Sequence, residues 1–199
     1  MNKAYFFALA LLAMPTLADN NKGFYVGIGA AGIDDRQDLT LRTNGMTLGD
    51  TTAIRTAELI SGYKYNDVLV AEIRIGSSVR PGKGFDFTVA PGSAVPKEQI
   101  ERDIGNYESI YYRPEMVNDE AKLYALLGYT KTSSSFIRKD LQGKAELSNV
   151  STSYSGASYG IGISFVIDEH FNINFEYKNI CDGLYNKPNM SSVNIDYRF

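Results

Sequence analysis

From Gly23 to the end of the chain, apolar and polar side chains alternate in segments of about ten residues separated by turn residues. A period of two marks strands with one apolar face. The first, GFYVGIGAAG, sets Phe24, Val26, Ile28 and Ala30 against Tyr25, Gly27, Gly29 and Ala31. The second, from about Ala53 to Tyr65, sets Leu59, Ser61, Tyr63 and Tyr65 against Glu58, Ile60, Gly62 and Lys64. In VLVAEIRIGS, Leu69, Ala71, Ile73 and Ile75 oppose Val70, Glu72, Arg74 and Gly76. In NYESIYYRPEM, Ile110, Tyr112, Pro114 and Met116 oppose Ser109, Tyr111, Arg113 and Glu115. AKLYALLGYTK is apolar on both faces and is read with Leu123, Ala125, Leu127 and Tyr129 outward. ASYGIGISFVI, FNINFEYK and SSVNIDYRF alternate cleanly. The last carries Val193, Ile195, Tyr197 and Phe199 on one parity and Ser192, Asn194, Asp196 and Arg198 on the other.

Short and long connections alternate strictly. Asn66 to Val68, Val117 to Glu120 and Asp168 to His170 are tight; the stretches after Gly32, Ser77 and Thr132, and from Asp182 to Asn189, are long or polar. That is the rhythm of an up-and-down barrel, with tight turns at one rim and open loops at the other. Strands that face each other must also place their apolar residues on one side, and the short turns have the residue parity this requires. The stretches from Asp34 to Asp50, Arg80 to Asp103 and Thr132 to Ser151 carry mixed charge and are read as loops, either as binding surfaces or as solvated connectors. GFDFTVAPG, inside the second, alternates at Phe85, Phe87 and Val89 and is compatible with a hairpin. PKEQIERDIG reads equally as a short helix or as the start of the fourth strand.

The polar face decides what the apolar face meets. It combines Lys64, Glu72, Arg74, Arg113, Glu115, Glu176, Lys178, Asp196 and Arg198 with Gly27, Gly29, Gly160 and Gly162. A solvated face has no use for glycines, which weaken strands. A narrow barrel interior needs small residues for room and opposite charges for pairing. Tyr63, Tyr65, Tyr112, Phe165, Phe171, Tyr197 and Phe199 would gather beside the short turns, as an aromatic girdle does at a membrane interface. The expected fold is all-β: a closed antiparallel up-and-down transmembrane β-barrel of about eight strands, in preference to a secreted sandwich.

The start of the chain adds an address. Lys3, an apolar run from Ala4 to Met14, Pro15 and then Thr16-Leu17-Ala18 read as a signal peptide over residues 1–18, with the barrel domain over 19–199. The run is shorter than the roughly 20 residues of a spanning helix. Net charge is −3 with no Lys/Arg cluster, which argues against nucleic acid as a partner. The single cysteine, Cys181, reads as a lone thiol. The single histidine, His170, falls in a short turn, so neither a metal-ligand cluster nor a rim acid–base group is expected, and no cofactor.

The chain resembles the small outer-membrane β-barrel proteins of Gram-negative bacteria, the group that includes the outer-membrane protein A barrel domain and is often labelled porin family. GFYVGIGAAG looks like their first strand, SGYKYNDVLVAEIRIG like their second and third, KLYALLGYTK like their mid-chain strand and NIDYRF like their C-terminal assembly signal. The resemblance implies an outer-membrane location. It implies contact with outer-membrane lipid and lipopolysaccharide, and recognition of Tyr197 and Phe199 by the barrel-assembly machinery. The expected role is a non-enzymatic scaffold whose loops serve envelope integrity or bind an extracellular ligand. A narrow solute pore is the alternative, and a lipid-modifying enzyme ranks third. Changing Phe199 to Ser should lower the amount of folded barrel in cells far more than changing Ser192 to Ala. Lost burial accounts for about 1.5–3 kcal/mol, and lost recognition adds to it in cells but not in detergent refolding. Folded fraction by gel mobility is the readout, and normal assembly of Phe199→Ser would refute the signal.

Overall fold

The computed structural model describes residues 22–34, 46–48, 53–66, 68–90, 93–116, 121–140, 142–168, 170–181 and 188–199; the expected leader lies outside them. Ten strands occur among the described residues: β1 (Gly23–Asp34), β2 (Met46–Leu48), β3 (Ile54–Lys64), β4 (Leu69–Arg80), β5 (Gly82–Ala90), β6 (Ser93–Met116), β7 (Ala121–Lys139), β8 (Glu146–Val166), β9 (Phe171–Asn179) and β10 (Asn189–Arg198). Eight of them close a ring in which every neighbour is antiparallel: β1, β3, β4, β6, β7, β8, β9, β10 and back to β1. All eight expected strands are present. Closure is made by β1 and β10, from Tyr25↔Arg198 to Asp34↔Asn189.

Alternation is kept around the ring. In β3 buried and exposed residues alternate from Ile54 to Lys64 without a break, and β4 repeats this from Leu69 to Ser77. The exposed parity is the apolar one: Ile28 is 65% exposed, Ile73 59% and Ile161 67%. A belt of large apolar side chains of this extent belongs against lipid rather than water. The fifth segment, apolar on both faces, resolves with Leu123, Leu127 and Tyr129 exposed and Tyr124 and Leu126 buried.

The tight-turn rim is held by side chains that imitate backbone. Asn66 Oδ1 accepts from the amides of Val68 (3.0 Å) and Leu69 (2.8 Å). Asp168 Oδ1 accepts from those of His170 (2.8 Å) and Phe171 (2.7 Å). These Asx turns let three or four residues reverse a strand. The two backbone amides also hold the Asp168 carboxyl below its ordinary range. Tyr197 joins the aromatics here, edge-on to Phe171 and Phe199 and stacked on His170 at 5.5 Å. His170 is therefore half-buried against a ring rather than a freely solvated turn residue.

The opposite rim departs from the sequence reading. The stretches expected as loops over Arg80–Asp103 and Thr132–Ser151 are mostly strand. After Pro81 the chain resumes as β5, which pairs with the first half of β6 from Gly82↔Arg102 to Ala90↔Ser93, with β2 added at its outer side. PKEQIERDIG is thus part of β6, not a helix. β7 and β8 stay paired out to Lys139↔Glu146. Together these strands form a sheet extension that stands beyond the ring. Its border is the irregularity in β6 between Ile104 and Tyr107. In β7 and β8 beyond the ring both faces are largely polar and rich in Ser and Thr, so strand pairing there leaves little apolar alternation to read. The part of the first loop from Asp35 to Gly45 lies outside the described residues.

A closed hydrogen-bonded ring resists detergent until heated. The protein should fractionate with membranes and migrate faster unheated than boiled on a denaturing gel. Recovery as a soluble protein with one heat-independent mobility would contradict the closure seen here.

Candidate functional site: the barrel interior

A ring of this size has no open lumen; its inward side chains fill it. Four inward tyrosines face four glycines directly across the sheet: Tyr25↔Gly62, Tyr107↔Gly76, Tyr111↔Gly128 and Tyr124↔Gly162. A Cβ on Gly62, Gly76 or Gly162 would run into the ring of its tyrosine. Each missing side chain lets a phenol lie across the neighbouring strand and carry its hydroxyl toward the centre. Three hydroxyls end on carboxylates: Tyr25 donates to Glu72, Tyr107 to Glu58 at 2.8 Å and Tyr124 to Glu176 at 2.7 Å.

Arg74 sits at the hub of those carboxylates. Its Nη1 donates to Glu58 (3.0 Å) and Glu176 (2.6 Å), its Nη2 to Glu176 (2.8 Å) and Glu72, and its Nε to Glu72 (2.7 Å). One guanidinium thereby ties β3, β4 and β9. Lys178 Nζ lies 2.8 Å and 2.9 Å from the two oxygens of Glu58. On the other side Glu72 accepts from Arg113 Nη1 at 2.7 Å, Arg113 Nε lies 3.0 Å from Glu115, and Lys64 donates to Glu115 at 3.1 Å. Lys178, Glu58, Arg74, Glu72, Arg113, Glu115 and Lys64 thus form a chain of alternating sign across the interior. Arg113 also lies over the Tyr124 ring at 3.6 Å, a close cation–π contact. Nearer the tight-turn rim, Asp196 accepts from Asn172 (2.8 Å) and Asn174 (2.6 Å) and lies 3.5 Å from Arg198.

The residues singled out from the sequence, Lys64, Glu72, Arg74, Arg113, Glu115, Glu176, Lys178, Asp196 and Arg198, are all placed inside, each with a neighbour of opposite charge. Glu58 was missing from that set although it joins Lys178 to Arg74. Its parity with Lys64 on β3 was the available signal. Lys122 was missing as well, for the same reason that its strand was ambiguous. Ser192 donates to Glu176 at 3.1 Å, so it belongs to the network and is a poor neutral control; exposed Ser191 serves better.

Above the charges the interior becomes apolar. Ala31, Ile33, Ile54, Ile104, Tyr107, Ile180 and Met190 form one buried cluster toward the extension rim. Ile180 and Cys181 follow β9 directly and turn inward; Cys181 has φ 74° and its amide donates to Ser158 Oγ at 3.0 Å. Sequence reading assigned the inward parity to polar residues and did not foresee this plug. Ile33 and Ile54 are single apolar residues at strand ends and Ile104 stands alone at the irregularity within β6, too few for a period. Outside the ring, Glu101 takes Lys139 at 2.5 Å and Lys83 at 3.2 Å, and the Lys139 hydrogen bond holds its carboxyl below the usual range.

Comparison with known proteins places these features in a family. The family model described as outer membrane protein beta-barrel domain matches residues 4–199. No curated protein matches. Among solved structures, the outer membrane protein OprG from Pseudomonas aeruginosa is similar at TM-score 0.55 and 15% identity, over 92% of this chain and 99% of that one. Ail, the attachment invasion locus protein of Yersinia pestis, is similar at TM-score 0.52 and 18% identity, over 91% and 99%. Neisserial surface protein A is similar at 0.52 and 15%, over 91% and 100%. Ail has also been solved with the heparin analogue sucrose octasulfate.

Replacing Arg74 by Met leaves Glu58, Glu72 and Glu176 facing one another without their common cation. Breaking a buried pair from one side costs about 3–5 kcal/mol, whereas Ser191→Ala on the outer face should change stability by about 0.5 kcal/mol or less. Urea unfolding of the barrel in lipid vesicles measures both. Equal effects of the two substitutions would show that the network carries no special weight.

Proposed function

The chain belongs to the outer-membrane β-barrel family, and from that premise we propose that it is a non-conducting, non-enzymatic barrel that acts as an envelope scaffold and binds partners through its extension. The observation that carries this reading is the double closure of the interior. The alternating-sign chain from Lys178 to Lys64 occupies the middle, and the Ile33, Ile54, Ile104, Ile180, Met190 cluster covers it toward the extension. A solute would have to break buried ion pairs and displace packed apolar side chains in turn. The carboxylates Glu58, Glu72, Glu115 and Glu176 are all committed to cations, which disfavours acid–base chemistry there.

The extension is the part of the fold with room to recognise something. Binding sites concentrate on segments that a rigid scaffold presents, and Ail shows one protein of this architecture carrying a sulfated sugar analogue. On this reading the tight turns and both ends of the barrel face the periplasm and the extension faces outward. Tyr197 and Phe199, packed edge-on at the tight-turn rim, then serve as the assembly signal.

Purified protein inserted into a planar bilayer should give no unitary current steps under conditions where a wide porin conducts. Reproducible steps from the heat-modifiable form would refute the closed reading in favour of a narrow pore.

A further inference from the structure

The buried charges of the ring do not sum to zero. Among the described residues, the alternating-sign chain with Glu176, together with Asp196 and Arg198, holds five cations and five carboxylates. Lys122 is a sixth buried cation, inward on β7 near the tight-turn rim and 2% exposed. The charges that act on it most strongly are Arg198, Lys64, Glu115 and Arg113, three cations to one carboxylate. Hydrogen bonds to neutral groups leave that sum unchanged, and an excess charge away from water is expensive.

Lys122 also begins a row of inward polar side chains that crosses four strands in register: Lys122↔Ser164, Ser164↔Asn174 and Asn174↔Asn194. Along this row and the next lie polar atoms that no described residue satisfies. Ser164 Oγ has no hydrogen-bond partner, and neither has Oδ1 or Nδ2 of Asn194. Asn172 gives its Nδ2 to Asp196 at 2.8 Å, and its Oδ1 accepts nothing. Ser164 and Asn172 are fully buried and Asn194 is 1% exposed. Folded interiors leave few such atoms, yet four fall here on the adjacent strands β8, β9 and β10. Arg113 reaches the same wall, its Nη2 lying 3.4 Å from Asn174 Oδ1. The wall therefore offers positive charge, a hydroxyl, an amide donor and two amide acceptors in one place.

We propose that this wall binds one small oxyanion that carries a proton, of the bicarbonate or dihydrogen phosphate kind, between Lys122, Ser164 and Asn194. A monoanion brings the buried charge to zero. Its oxygens accept from Lys122, from the Ser164 hydroxyl and from Asn194 Nδ2, and its own O–H donates to Asn172 Oδ1 or Asn194 Oδ1. Chloride balances the charge but donates nothing. Water donates but brings no charge. Sulfate is doubly charged and has no proton to give. Entry is from the tight-turn rim, because the apolar plug closes the other end. The site goes beyond the scaffold reading and does not depend on which compartment that rim faces.

NMR titration of the full chain in lipid nanodiscs tests this. Sodium phosphate at slightly acid pH, where the dihydrogen form dominates, and sodium bicarbonate are the probes; chloride and sulfate at matched ionic strength are the comparisons. The side-chain amide signals of Asn172 and Asn194 should shift saturably with both probes, and with chloride and sulfate only at concentrations about tenfold higher or more. Ser164→Ala should weaken phosphate binding about tenfold, the worth of one hydrogen bond to a charged group. Lys122→Gln removes the excess charge and should abolish the saturable shift while keeping heat-dependent gel mobility. Equal affinity for all four salts, or phosphate binding unchanged by both substitutions, would overturn the proposal. So would the absence of any saturable shift, which would mean that a tight-turn carboxylate, Asp119 or Glu120 by sequence, already supplies the missing charge. None of these outcomes touches the bilayer conductance result, so the site can fail while the scaffold reading stands.

Discussion

The hydrogen bonds from Tyr25↔Arg198 to Asp34↔Asn189 turn an open sheet into a ring. In hydrocarbon, each unpaired backbone group costs several kcal/mol, and an open edge would expose a whole row of them. Joining β1 to β10 removes both edges at once. It also fixes which side of every strand faces lipid, because a one-residue slip anywhere would turn its apolar side chains inward. The unbroken alternation in β3 and β4 is the record of that demand.

Closure with eight strands creates a second demand, on the inside. The interior is too narrow for bulk water and too polar in sequence for an oily core. The solution is geometric before it is electrostatic. Glycines opposite Tyr25, Tyr107, Tyr111 and Tyr124 give the phenols space to lie flat. The phenols bring donors to the carboxylates, and Arg74, Arg113, Lys64 and Lys178 complete the pairing. Such pairs add little net stability over a hydrophobic filling. Their use here is to make the filling specific, since a misregistered strand would leave a charge without its partner.

The sequence was readable where one face met lipid and the other met the filled interior, because there the period of two carries contrast. Seven of the eight ring strands and the inward placement of residues such as Arg74 and Glu176 follow from that contrast, whereas β7, apolar on both faces from Leu123 to Tyr129, lacks it. It was unreadable in two places. In the extension, Ser134, Ser151 and Ser153 sit on strands whose two faces resemble each other, so pairing leaves no trace in hydropathy. In the plug, Ile54, Ile104 and Met190 are brought together only by closure, and Ile180 only by the inward turn after β9. Spatial neighbours drawn from distant strands have no local signature.

Lys178 and its partner Glu58 are separated by 120 positions in the chain, and Arg74 from Glu176 by 102. Neither pair can form in a partial sheet that holds only the early strands. Contacts of such long range are late and slow in folding, because the loop entropy must be spent before they give anything back. Until β9 and β10 arrive, Glu58, Glu72 and Arg74 line an open, hydrated trough, and water meets their charge. Dehydration of the interior, pairing of Glu176 and Lys178 with the early strands and sealing of the ring therefore fall in the same final moment. A growing barrel of this kind has no stable dry intermediate in which to pause.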